Sequence, residues 1–151
     1  AVMCLCEVAA YCKKNNMTLW DMMLEMYEAY GYFKETQYTI TLKGIDGSKQ
    51  IAAIMDKLRQ NPPEMIGDAK VLKFRDYQED KVIDMENGAE SKTGLPKSNV
   101  LYFELPNNCW CCARPSGTEP KIKFYMGVVG NSLEDAQAKV EQLTEDLKAL
   151  L

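Results

Sequence analysis

The sequence predicts an α+β fold: a mostly antiparallel sheet of four to five strands with two helices on one face, preceded by a helical hairpin. Three observations predict it. Short runs at 38–42, 70–77, 99–105, 109–113 and 121–129 read as strands, most plainly 38–42, where Tyr38, Ile40 and Leu42 alternate with threonines. Only two helical patterns interrupt these runs, one near 46–60 and one near 132–150. The order from residue 38 is therefore β-α-β-loop-β-β-β-α, and strands that follow one another directly pair antiparallel and leave the helices to one face.

Residues 1–14 are apolar on nearly every side except at Glu7, the pattern of a buried helix, with Cys4 and Cys6 as small core residues. The run KKNN then makes a turn. Thr18 stands three residues before Asp21, the arrangement of a helix N-cap. Leu19, Met22, Met23, Met26, Tyr27 and Tyr30 follow at helical spacing, and Gly31 suits the stop. This Met-rich stripe reads as core; a binding surface is the alternative. Asp46 or Ser48 is expected to cap the next helix, which carries Ile51, Ile54, Met55 and Leu58 and ends at Pro62 and Pro63. Residues 78–98 are polar and read as a long loop or loose hairpin. Asp76, Asp80 and Asp84 are scattered among the strand 70–77 and this polar stretch and read as solvated surface. The run PNN at 106–108 joins two strands as a hairpin. Ser132, with Asp135 three residues on, opens the last helix, whose Leu133, Ala136, Val140, Leu143, Leu147 and Leu150 form one stripe.

Composition removes several chemistries. The 151 residues carry 18 Lys and Arg against 22 Asp and Glu, a net charge of -4, which opposes general nucleic-acid binding. There is no histidine, so Ser-His-Asp and Cys-His nucleophiles and most catalytic zinc sites are excluded. The six cysteines fall in two groups, 4–12 and 109–112; no metal site is expected from them, and reduced thiols in a cytoplasmic protein are. No signal peptide or membrane span is recognisable. The chain opens at Ala1 inside a helical pattern, as a piece of something longer would.

The run RPSGTEPKIK at 114–123 concentrates anion-binding groups. Arg114 offers a planar fork for an oxyanion, and Ser116 and Thr118 add hydroxyl donors. Gly117 can take positive φ and let backbone N–H groups converge as a nest, while Pro115 and Pro120 stiffen the ends. Lys121 and Lys123 share a parity and add positive charge on one face. An ordinary turn uses the same residue types, and Glu119 fits a turn better than an anion site.

The run RPSGTEPKIKFY closely resembles the phosphate-binding loop of the α-D-phosphohexomutases, the phosphoglucomutases and phosphomannomutases. DGSKQIAAIMDKLRQNPP resembles the first helix of that family's fourth domain, LPKSNVLYFEL the strand before the loop, and TLWDMMLEMYEAYGYF the helix that ends its third domain. The resemblance implies a C-terminal fragment: residues 1–35 closing domain 3 and residues 36–151 forming domain 4, a fold similar to the half-domains of the TATA-binding protein. It implies Arg114, Ser116, Gly117 and Thr118 as contacts to the substrate phosphate, with Lys121 and Lys123 as supporting charge. The parent enzyme would interconvert hexose 1-phosphate and hexose 6-phosphate through a bisphosphate, using a phosphoserine, magnesium and a hexose 1,6-bisphosphate activator. None of these is expected in this chain, where no residue is assigned as catalytic or metal-binding. The expected partners are a phosphorylated hexose and domains 1–3 of the parent, with self-association through residues 1–31, and neither nucleic acid nor membrane. A nonenzymatic module, docking a protein or nucleic acid through its sheet or Met-rich hairpin, is the alternative.

Overall fold

The computed structural model describes residues 1–42 and 44–151. Helices α1 (Val2–Lys14) and α2 (Leu19–Tyr30) form the hairpin. Thr18 caps α2 as expected: its hydroxyl accepts the Asp21 N–H, and the Asp21 carboxylate accepts the Thr18 N–H at 2.7 Å. Gly31 ends the helix at φ 108°, a conformation other residues rarely take. Strand β1 (Tyr32–Thr41) then enters the sheet, six residues before the alternation at 38. It is an edge strand with Phe33, Lys34 and Glu35 exposed, so its first half carries no burial pattern.

After β1 come α3 (Gly44–Gln60), the short β2 (Met65–Ile66) and β3 (Ala69–Lys70), then β4 (Lys73–Asp76) and β5 (Lys81–Asp84). The chain continues through β6 (Glu90–Ser91), β7 (Leu101–Glu104), β8 (Trp110–Pro115), β9 (Lys121–Gly130) and α4 (Leu133–Leu150). The main sheet has seven strands, in the order β1-β9-β8-β7-β4-β5-β6, where four to five were expected. Its described pairings are all antiparallel. The additional strands come from the polar stretch 78–98. There the Asp84 carboxylate accepts the N–H groups of Glu86 and Asn87 and closes a tight turn between β5 and β6. Strands this short, β5 half-buried throughout and β6 exposed, show no hydrophobic alternation. Residues 70–77 also split, since Ala69–Lys70 pairs with β2 in a separate ladder.

Register aligns the core in rows. Phe74, Phe103, Cys111 and Met126 lie side by side across β4, β7, β8 and β9, and Leu101, Ala113, Phe124 and Tyr38 make the next row. Ile51, Met55 and Leu58 of α3 and Val140, Leu143 and Leu147 of α4 join the same cluster, so both helices cover one face. Ser132 caps α4 by accepting the Asp135 N–H. Neither Asp46 nor Ser48 caps α3, because the helix has already begun at Gly44; Asp46 lies in its first turn, where a carboxylate suits the helix dipole.

Two expectations about burial are corrected. Asp76 is not surface: it is 2% exposed, and its carboxylate accepts Arg59 Nε at 2.8 Å and the backbone N–H groups of Gln78 and Glu79. Asp80 is half-buried and accepts the Thr93 hydroxyl at 2.6 Å, a bond that holds its pKa below the usual carboxylate range. The hairpin is not core either. Cys12 is the one buried residue of α1 and α2, Cys4 and Cys6 are exposed, and Met23 and Met26 of the stripe face outward. The physical reason is layering: α1 packs mainly on α2, and α2 packs mainly on the end of β1, where Tyr27 stacks on Tyr32. Two helices without a third layer cannot bury an all-round apolar surface.

Candidate functional site

The helix-free face of the sheet is set by the same parity as the core. Because Cys111, Ala113, Ile122 and Phe124 point inward and are shielded completely, Cys112 and Arg114 on β8 and Lys121, Lys123 and Tyr125 on β9 point the other way. Arg114 sits directly opposite Lys123 in the ladder. Two cations across an antiparallel pair repel each other, a cost that is removed when an anion lies between them.

The five residues 116–120 close the β8–β9 hairpin. Ser116 N–H donates to the Lys121 carbonyl at 2.8 Å, Lys121 N–H to the Glu119 carbonyl at 2.7 Å, and Leu42 N–H to the Pro120 carbonyl at 2.9 Å. The loop is therefore tied to both of its own strands and to the end of β1. Ser116 Oγ accepts the N–H groups of Thr118 and Glu119 at 3.4 and 3.3 Å, a serine turn. Its hydroxyl proton is still available to an acceptor. Gly117 does not take positive φ, which corrects the basis on which a nest was expected. A Cβ at that position would meet nothing within 4 Å, so glycine leaves the loop's rim open to a ligand.

Arg114, Ser116, Gly117, Thr118, Lys121 and Lys123 line one cleft of about 350 Å³, together with Pro115 and Tyr125. The structure thus brings together all six residues singled out in the sequence. It separates the two lysines in kind. Lys121 forms an ion pair with Glu119, whose carboxyl is held below its ordinary pKa by that lysine. Lys123 instead donates to the neutral Gln37 Oε1 at 3.3 Å, and Gln37 Nε2 donates to Thr39 Oγ1 at 3.0 Å. Among the described residues, Arg114 and Lys123 form no ion pair, whereas Lys121 is paired with Glu119, a carboxylate that Lys123 also stabilises from further away. Burial pushes the Cys112 thiol up to about 11, so no thiolate competes for Arg114 from the neighbouring position on that face. Tyr125 and Gln37 were not singled out, although Tyr125 continues the 121–123 parity. Gln37 lies before the recognisable alternation of β1, where no sequence signal marks it.

Among the described residues no three His, Cys, Asp or Glu side chains converge so as to hold a metal ion. No described helix is long and apolar enough to cross a membrane. A phosphoglucomutase of Staphylococcus aureus is 35% identical over 137 residues, 91% of this chain, and one of Staphylococcus haemolyticus is 34% identical over 128 residues. By that homology the chain belongs to the phosphohexomutase family. It spans about a quarter of the length of these relatives, 25% and 23% respectively. Among solved structures, a Paramecium phosphoglucomutase (pp63/parafusin, open form) is similar with a TM-score of 0.49 at 12% identity, over 93% of this chain and 25% of that one. No family model matches.

Proposed function

We propose that this chain is the phosphate-gripping part of a hexose-phosphate mutase. In this reading the 114–121 loop holds the substrate phosphate remote from the one being transferred, and so orients a bisphosphorylated hexose for exchange between its 1- and 6-positions. The observation that carries the reading is the convergence of Arg114, Ser116, Thr118 and Lys123 on one cleft, in a chain 35% identical to a phosphoglucomutase. The contribution is positional: a phosphate fixed at one end of the sugar sets where the other end reacts.

The phosphoserine, the magnesium and the loop that reads the sugar hydroxyls would belong to the part of the relatives that this chain does not span. Its own residues do not substitute for them. Ser116 Oγ is engaged with two backbone N–H groups of its turn, and the described residues offer no metal-ligand cluster. The chain by itself is then inactive as a mutase. The apolar face of the hairpin, where Val2, Met3 and Leu5 are exposed, would be covered by the remainder of a longer chain or by a second copy.

The test is a titration with inorganic phosphate, followed through the amide signals of residues 114–118. Saturable shifts are expected, and Arg114→Ala should weaken binding about 10- to 100-fold, the scale of lost charge-assisted hydrogen bonds. Shifts that persist unchanged in a folded Arg114→Ala chain would refute the grip. Interconversion of glucose 1- and 6-phosphates by the purified chain would refute its inactivity.

A further inference from the structure

The cleft does not end at the anion-binding groups. Its far wall is Tyr125, two residues along β9 from Lys123 on the same face, a step of about 6.5 Å. The residue is half-buried. Opposite Tyr125 in the ladder with β1 stands Gln37, whose carbonyl holds Lys123 and whose amide bonds Thr39 and retains one free N–H. On the other side lies Cys112, a neutral thiol. Next to the cationic pair there is thus an apolar ring with a rim of uncharged donors and acceptors.

The cleft's volume, about 350 Å³, lies in the range of small-molecule sites and is larger than inorganic phosphate fills. An anion bridging Arg114 and Lys123 has an ester substituent a few bonds away, within reach of Tyr125. A polyol suits that surface, since its C–H face lies on a ring while its hydroxyls meet a polar rim.

We propose that Tyr125 is a specificity-determining residue, which selects phosphate monoesters of polyols over inorganic phosphate by contact with the carbon skeleton. The proposal rests on the reading of the loop as a phosphate grip, and its test separates the two.

The 151-residue chain is titrated in parallel with inorganic phosphate and with glucose 6-phosphate, for wild type, Tyr125→Phe and Tyr125→Ala. Wild type should bind the ester about five- to tenfold more tightly, the scale of one added hydrogen bond and a stacked face. Tyr125→Ala should remove that preference and leave inorganic phosphate binding within twofold. Tyr125→Phe, which keeps the ring and guards against a folding artefact, should retain part of it. Equal affinities in wild type, or equal weakening of both ligands in Tyr125→Ala, would overturn the role of Tyr125 while the grip stood. Absence of binding by either ligand to wild type would overturn both.

Discussion

Replacing Asp76 with alanine should destabilise the chain by about 3 kcal/mol. The carboxylate is 2% exposed and accepts three hydrogen bonds, one from Arg59 Nε at 2.8 Å and two from the backbone of the turn that follows β4. Arg59 is itself 17% exposed and also donates to Asn99 at 2.7 Å and to Asp56 at 3.2 Å. One residue at the end of α3 thus ties that helix to β4 and to the segment entering β7. Breaking a buried pair from one side costs about 3–5 kcal/mol, because the remaining charge stays poorly solvated. The lower end applies here, since Arg59 keeps Asp56, Gln78 and Asn99 as partners and some water. For a chain of this size the loss corresponds to a fall in Tm of roughly 6–12 °C. Thermal unfolding by circular dichroism measures it directly. A double-mutant cycle with Arg59→Met separates the charge pair from the two turn N–H groups, which stay unsatisfied in both alanine variants. A Tm within 2 °C of wild type for Asp76→Ala would refute the argument.

Two further outcomes are expected. Burial pushes the Cys111 thiol up to about 12 and that of Cys112 up to about 11, so between roughly pH 9 and 11 the unfolded chain releases protons that the folded chain retains. Stability should therefore fall as pH rises through this window, by up to ~1.4 kcal/mol per pH unit for each thiol, and urea unfolding of Cys112→Ala should show a shallower slope; equal slopes would contradict it. Glu119→Gln frees Lys121 and removes a negative charge beside the cleft, so phosphate should bind roughly threefold more tightly, the effect of one screened surface charge. Isothermal titration that found equal or weaker binding would count against the loop as an anion site.

What the sequence made legible was whatever repeats. The α4 stripe, the Thr18 and Ser132 caps and the parity of Lys121 and Lys123 all follow from local periods, and each occupies its expected place. What it hid depends on neighbours distant in the chain. Asp76 looks like any acidic residue in a polar run; only Arg59, 17 positions earlier, makes it a buried ligand. Gln37 acquires its role from Lys123, 86 residues later. Cys4, Cys6 and the outward methionines have the composition of a core, but composition does not say whether a third layer is present to cover them. Gly117 shows the converse: positive φ was expected there, but the residue does not take it, and a Cβ at that position would meet nothing within 4 Å.

The division of labour in the cleft follows from this. The turn 116–120 supplies hydroxyl and amide groups and the Glu119–Lys121 pair, but no uncompensated charge. The cleft's cations that form no ion pair among the described residues are both strand residues, Arg114 and Lys123, made neighbours by the β8–β9 register. That register is held by Cys111, Ala113, Ile122, Phe124 and Met126, all shielded completely from solvent. A slip of one residue would turn this apolar set outward and bury both cations, so the hydrophobic core and the proposed anion site are specified by the same pairing. Substitutions that loosen the inner face, such as Phe124→Ala, then act on affinity through register as well as on stability. The loop can vary in its exposed residues without moving the charges, because its ends are fixed by backbone bonds to Lys121 and Leu42.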